Sequence, residues 1–214
     1  MTQNKKSSVG RPKSAEKQQQ ILSAASCLFL RNGLAATSMD SVAKEANVSK
    51  QTVYSHFKNK DALFTAVIRW KVKEYCLDEE HIQANQHDVK KVLQVIGIQF
   101  VQLLHDPAVI SMYRVVIGEV STNPHIAELF YEAGPKQAME LLINYLLNTP
   151  SLTLSKADAV QLSMCYFNLL KGEHLMKSLM GLPFALSKEQ QFSFVNKTVD
   201  NFMLMLQVHS GDSH

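Results

Sequence analysis

Apolar residues recur at helical spacing along almost the whole chain, which predicts an all-α fold. Ile21, Leu22, Ala25, Leu28 and Phe29 form one stripe, with Ser14 placed to cap its start and Gly33 of "RNG" to end it in the left-handed region. In the next segment Met39, Val42, Ala43 and Ala46 fall at i, i+3, i+4 and i+7, with Thr37 or Ser38 as the cap. Asn47, a residue that tolerates positive φ, then breaks the pattern. Ser49 caps a third short helix running to about Lys58, and Asn59 with Asp61 opens a fourth whose inner face is Leu63, Phe64, Val67 and Ile68.

The third helix differs from its neighbours. At about 100° per residue Val53 and Phe57 share one narrow side, while Gln51 and Ser55 lie roughly opposite, flanked by Thr52 and Lys58. The outer face consists of hydrogen-bonding side chains and contains no acid. A helix with so little to bury must be held by the one before it. What it then exposes is a rigid polar ridge about as wide as a DNA major groove. A brace helix, a tight turn and a presented helix together make a helix-turn-helix.

Charge strengthens that picture. The 214 residues carry a net charge of +3, but residues 1–73 hold 13 Lys or Arg against four acids, and the remainder nine against fifteen. A basic head on an acidic body suits a polyanion partner for the head alone. With 46% hydrophobic residues the chain can bury a sizeable core. No run of about 18 apolar residues occurs and none follows the basic N-terminus, so no membrane span and no signal peptide are expected, and the protein is expected to be cytoplasmic. Cys27, Cys76 and Cys165, widely spaced among apolar helical residues, are expected to be small core side chains in a reducing compartment.

The segment "TSMDSVAKEANVSKQTVYSHFKNKDALF" resembles the N-terminal helix-turn-helix of TetR-type transcriptional regulators. Thr37, Val42, Ala43, Ala46, Val48, Ser49, Thr52, Tyr54, His56, Phe57, Lys60 and Leu63 stand at matching positions; Ser38 replaces a Thr and Asn47 the turn Gly. The resemblance covers about residues 14–68. It implies that Thr37 or Ser38, Tyr54, His56 and Lys60 touch phosphate, with Ser49 shared between capping and phosphate. It also implies that Lys50, Gln51 and Thr52 meet base edges, beside the outward Ser55. Upstream, "GRPK" resembles an AT-hook segment, with Arg11 along an A·T minor groove; by itself the segment fits a plain disordered tail equally well.

The rest of the chain has its own pattern. Helices are expected up to about His105, from Pro107, and on either side of a break at Gly134-Pro135 that leaves room for a ligand or simply marks a boundary. "YEAGPKQAMELL" after "YRVVIGEV" resembles the C-terminal domain of a TetR subgroup that often regulates multidrug efflux. Seven of nine Met lie in this body among aromatics, a composition suited to a pocket for small hydrophobic effectors or to plain core. Phe100, Met112, Tyr113, Tyr131, Met139, Met164, Phe167, Asn168 and Glu173 are the candidate lining, with Arg114 and His174 as further polar candidates. The last helix has one stripe of Phe192, Val195, Val199, Phe202 and Leu206 and an adjacent one of Phe194, Thr198, Asn201 and Met205. Two apolar faces call for two partners, and the second stripe is the candidate homodimer interface.

No Gly-rich phosphate loop, G-x-S-x-G, H-E-x-x-H or Glu-x-x-His pair occurs, and His81 and His87 are too isolated for a metal claim. No catalytic residue, metal or cofactor is expected. The expectation is a flexible basic arm at 1–13, a helix-turn-helix domain at 14–60 and a ligand-binding and dimerisation domain at 61–214. Such a chain would be a homodimeric regulator that binds a palindromic double-stranded operator as a repressor and is released by a small hydrophobic effector. The alternatives are a body that binds a protein partner and, remotely, an all-helical enzyme.

Overall fold

The computed structural model describes residues 12–75 and 88–211. All ten helices among them follow the predicted pattern: α1 (Pro12–Ala36), α2 (Met39–Glu45), α3 (Lys50–His56), α4 (Lys60–Glu74), α5 (Val89–His105), α6 (Pro107–Glu119), α7 (His125–Ala133), α8 (Pro135–Leu147), α9 (Lys156–Leu179) and α10 (Lys188–Gly211). Helix α1 begins at Pro12, ahead of the expected cap at Ser14. No single described helix is long and apolar enough to cross a membrane. The chain divides into two compact units, one ending at Val67 and the other starting at Ile68.

In the first unit the predicted stripes converge. Ile21, Phe29, Val42, Val53, Leu63 and Phe64 are buried, and the Phe29 and Phe64 rings meet edge to face at 5.6 Å. Gly33, at φ 81 and ψ 169, breaks α1 where the sequence puts its end. Asn47 is the only described non-Gly residue at positive φ, 52°. Its N–H reaches the Lys44 carbonyl and that of Val48 reaches Ala43, the pair of bonds that closes a helix through a left-handed residue.

In the second unit α10 lies along α5, and α9 packs against α8 and α10. Val195, Val199, Phe202 and Leu206 are buried as predicted; Phe192, placed in the same stripe, is exposed because it sits near the helix start at the edge of the packed face. Tyr166 is fully buried and donates to the Leu93 carbonyl at 2.5 Å. Beside it Gly97 admits α10, for a Cβ there would stand 2.7 Å from both the Tyr166 hydroxyl and Val195. Cys27 departs from expectation. It is exposed and Cys165 half-buried, since each falls beside the apolar stripe of its helix; Cys76, His81 and His87 lie outside the described residues.

Candidate nucleic-acid interface

Two side-chain caps set the pair α2–α3. Ser38 accepts from the Ser41 N–H while Ser41 accepts from that of Ser38, both at 3.1 Å, a reciprocal box at the start of α2. Ser49 accepts from the Thr52 N–H at 3.1 Å, and its hydroxyl lies 2.8 Å from that of Thr52. With both N-termini tied off, α3 turns Val53 and Phe57 inward and leaves Lys50, Gln51, Tyr54 and Ser55 exposed, with Thr52 and His56 half-exposed along the margins. This is the polar ridge that the sequence predicts.

Three residues of the expected set also have work inside the unit. Thr37 is 2% exposed and its hydroxyl donates to the Gly33 and Leu28 carbonyls at 2.7 and 3.3 Å. It ties the end of α1 to α2, which leaves Ser38 as the outward member of the pair. Lys60 donates to the Leu34 and Ala35 carbonyls at 2.7 and 3.2 Å, where its charge meets carbonyls at the end of α1. Lys50 pairs with Asp40 of α2 at 2.5 Å. Both partners are exposed, so the pair contributes little and can open to a base or a phosphate. Arg11 lies outside the described residues.

Residues 21–67 match the model of the bacterial regulatory proteins of the tetR family, and residues 91–205 that of the AefR-like transcriptional repressor C-terminal domain. The chain belongs to the TetR family. The members of that family are DNA-binding transcriptional regulators and not enzymes. The HTH-type regulator YhgD of Bacillus subtilis (strain 168) is 46% identical over 61 residues, 28% of this chain and 32% of that one. The regulator AcrR of Shigella flexneri is 35% identical over 68 residues, 32% of this chain and 31% of that protein. The chain thus spans about a third of the length of these curated relatives. The crystal structure of a TetR-family regulator from Mesorhizobium loti MAFF303099 shares the fold with a TM-score of 0.71 at 22% identity, over 91% of this chain and 98% of that one. The Flavonoid-responsive Regulator FrrA matches with a TM-score of 0.67 at 26% identity, over 89% and 97%.

The nine residues read as pocket lining do not come together in this TetR-family body. Phe100 and Phe167 are buried, their rings 4.7 Å apart, and Met112 is buried as well. Tyr113 and Met139 pack against the same core, Tyr113 edge to face with Phe130 at 4.8 Å; burial pushes the Tyr113 hydroxyl up from its usual range. The other four face outward. Tyr131 and Met164 are about half exposed, Asn168 is exposed beside Lys171, and Glu173 pairs with Lys177 at 2.9 Å. Arg114 donates to the Ser178 and Leu179 carbonyls at the end of α9, complementing that helix terminus.

One polar cluster escaped sequence reasoning. Asp106, between α5 and α6, accepts from the Ala108 N–H, the Tyr75 hydroxyl and the Lys71 ammonium, each at 2.7 Å. Burial alone would raise its carboxyl, but the bonds from Lys71 and Tyr75 outweigh that and hold it below the usual range. Burial and the same carboxylate push Tyr75 up to about 12. The end of α4 is thereby anchored to the α5–α6 corner by contacts more than 30 residues apart in sequence. The one available signal, an Asp before a helix-starting Pro, points to a cap and says nothing of the anchor.

Proposed function

We propose that this TetR-family protein is a homodimeric repressor that binds a palindromic operator and is released by a small hydrophobic effector. The observation that carries the reading is α3, whose exposed Lys50, Gln51, Tyr54 and Ser55 stand on a helix fixed by Val53, Phe57 and the Ser49 cap. Lys50, Gln51 and Thr52 read bases; Ser38, Ser49, Tyr54, His56 and Lys60 position the backbone. The match to the AefR-like repressor domain supports repression. So does the likeness to a "Probable acrEF/envCD operon repressor" of Escherichia coli (strain K12), 29% identical over 87 residues, while the resemblance of "YEAGPKQAMELL" to an efflux-regulating TetR subgroup favours a link to efflux control.

Dimerisation finds support on α9 and α10. Thr198 is buried within its own chain and Phe194 and Met205 pack against its core, so of the second stripe Asn201 is the exposed member. Leu204 and Val208 flank Asn201, each 62% exposed, and Met164 and Leu169 of α9 are exposed too. We place the interface on these residues, a rotation of about 60° around α10 from the predicted stripe. An effector in the body would favour a conformation in which the two heads no longer match successive major grooves. A flavonoid-responsive neighbour is consistent with an aromatic effector. Footprinting on the DNA beside its own gene tests the reading. Protection of an imperfect palindrome, weakened steeply by salt, is expected, and asymmetric or absent binding on selected duplexes overturns it.

A further inference from the structure

Four rings from four segments meet at the end of α5. His105 closes α5, His174 belongs to α9, Phe194 to α10, and Phe184 to the non-helical stretch between α9 and α10. The two imidazoles lie 4.9 Å apart; Phe184 stacks on His174 at 5.7 Å and 15°, and Phe194 meets it edge-on at 5.5 Å. Gly172, at φ 50, kinks α9 just ahead of His174, and a Cβ there would stand 3.1 Å from the imidazole Nδ1. The kink is what seats His174 in this cluster.

Both imidazoles keep Nε2 buried with no hydrogen-bond partner, and His174 is only 3% exposed. Buried polar atoms are rarely left unpaired, and two on rings whose centroids are 4.9 Å apart suggest a shared occupant. The proton on His105 can be placed. Its Nδ1 lies 2.8 Å from the Val101 carbonyl, which only accepts, so Nδ1 donates and Nε2 of the neutral ring is a bare acceptor. Burial first, and then the neighbouring His105, hold His174 down to about 4, which leaves it neutral and able to carry N–H at Nε2.

We infer that the His105–His174 pair is the polar end of a binding site for a neutral hydroxylated aromatic molecule, a phenol in chemical class. Its hydroxyl donates to His105 Nε2 and accepts from His174 Nε2–H, and its ring takes the place of Phe184 beside the imidazoles. Phe184 is the displaceable wall, being the one member carried on a connecting segment and only half-buried. Other ligand chemistries fit less well. A carboxylate cannot donate to His105, and a cation would meet Lys177, whose ammonium stands 5.5 Å over the Phe184 ring and pairs with Glu173. Among the described residues no third His, Cys, Asp or Glu completes a metal site here. Occupancy has a route outward, because His105 adjoins Asp106, where α5 and α6 bend by 67° and the end of α4 is held. The inference deepens the reading of the body as an effector domain and rests on it.

The test titrates the full chain, labelled with 15N-histidine, with 2-naphthol, 2-methoxynaphthalene, naphthalene and Zn2+. We expect 2-naphthol to bind at least about tenfold more tightly than the methoxy compound, which accepts but cannot donate, and to move both Nε2 resonances. His105→Phe should abolish the discrimination while unfolding cooperatively; Phe184→Leu, which leaves both imidazoles, should retain it. Equal affinity for the three aromatics, unmoved Nε2 resonances, or a response to Zn2+ with none to 2-naphthol overturns the inference. Operator binding by the unliganded wild type is measured alongside. Its loss defeats the repressor reading, whereas intact operator binding with no 2-naphthol site defeats this inference alone.

Discussion

The head and the body solve opposite problems with polar side chains. In the head, α3 projects them outward, and the bonds that fix them are local: Ser38 to Ser41 and Ser49 to Thr52, each three residues apart. In the body the telling polar groups are turned inward and come from far apart in sequence, as with Tyr75 and Asp106 or His105 and His174. A surface that reads DNA needs rigid, solvated donors whose cost of exposure is small. A site that senses a small molecule needs desolvated groups, which are costly unless paired, so each must be placed by several elements at once. The head should therefore respond to salt and to single changes of outward side chains, and the body to pH and to changes of burial.

The largest expected effect tests whether two heads act together. Leu204→Glu introduces a charge on the exposed face of α10 while leaving the buried stripe intact, and operator affinity should fall by about 100-fold or more as the linked second half-site is lost. Sedimentation alongside operator titration decides it, and a dimeric mutant would return attention to Phe194 and Met205.

Next comes pH, where head and body should separate most clearly. His174 has a usual value near 6.5 when unfolded and about 4 when folded, so below pH 6.5 the unfolded chain takes up a proton that the folded chain refuses. Stability is fully present above that pH and should drop by roughly 2 to 3 kcal/mol as the pH falls toward 4. His105 is the titratable group against this ring, and Lys177, paired with Glu173, stands over the Phe184 ring stacked on it. Urea unfolding at neutral and acid pH should show this component missing in His174→Phe and unchanged in Gln51→Ala.

Within the head, Gln51→Ala should cost about 1 to 3 kcal/mol on the best operator and relax preference at one base pair per half-site. Lys60→Ala should weaken all duplexes alike, and it should also lower stability, because the bonds from the ammonium to the Leu34 and Ala35 carbonyls are removed. Selection from a random DNA pool and thermal unfolding of each variant measure both; a changed consensus for Lys60→Ala would contradict the division into reading and positioning residues. The smallest effect belongs to the cap. Ser49→Ala should cost about 1 kcal/mol of stability, with operator affinity falling beyond that loss only if the hydroxyl also meets phosphate. Comparing denaturant midpoints with affinities separates the two roles.

The helix-turn-helix was legible in the sequence because its determinants are local. An i, i+3, i+4 stripe, a Ser cap and an Asn at a left-handed turn each specify their own few residues, and α2, α3 and their turn follow almost without reference to the rest of the chain. The helices of the body were legible for the same reason, down to Asp106-Pro107 and Gly134-Pro135. Which face of a helix looks where was not. A Met or aromatic at helical spacing reads the same whether it is core, like Phe100 and Met112, or exposed, like Tyr131 and Met164. Of Thr37 and Ser38, the alternatives for a phosphate contact, Thr37 is buried, its hydroxyl bonded to the Leu28 and Gly33 carbonyls of the preceding helix. Only tertiary structure brings His105 to His174 and Asp106 to Lys71 and Tyr75, since periodicity gives the angle of a side chain about its own axis and packing alone decides what lies opposite.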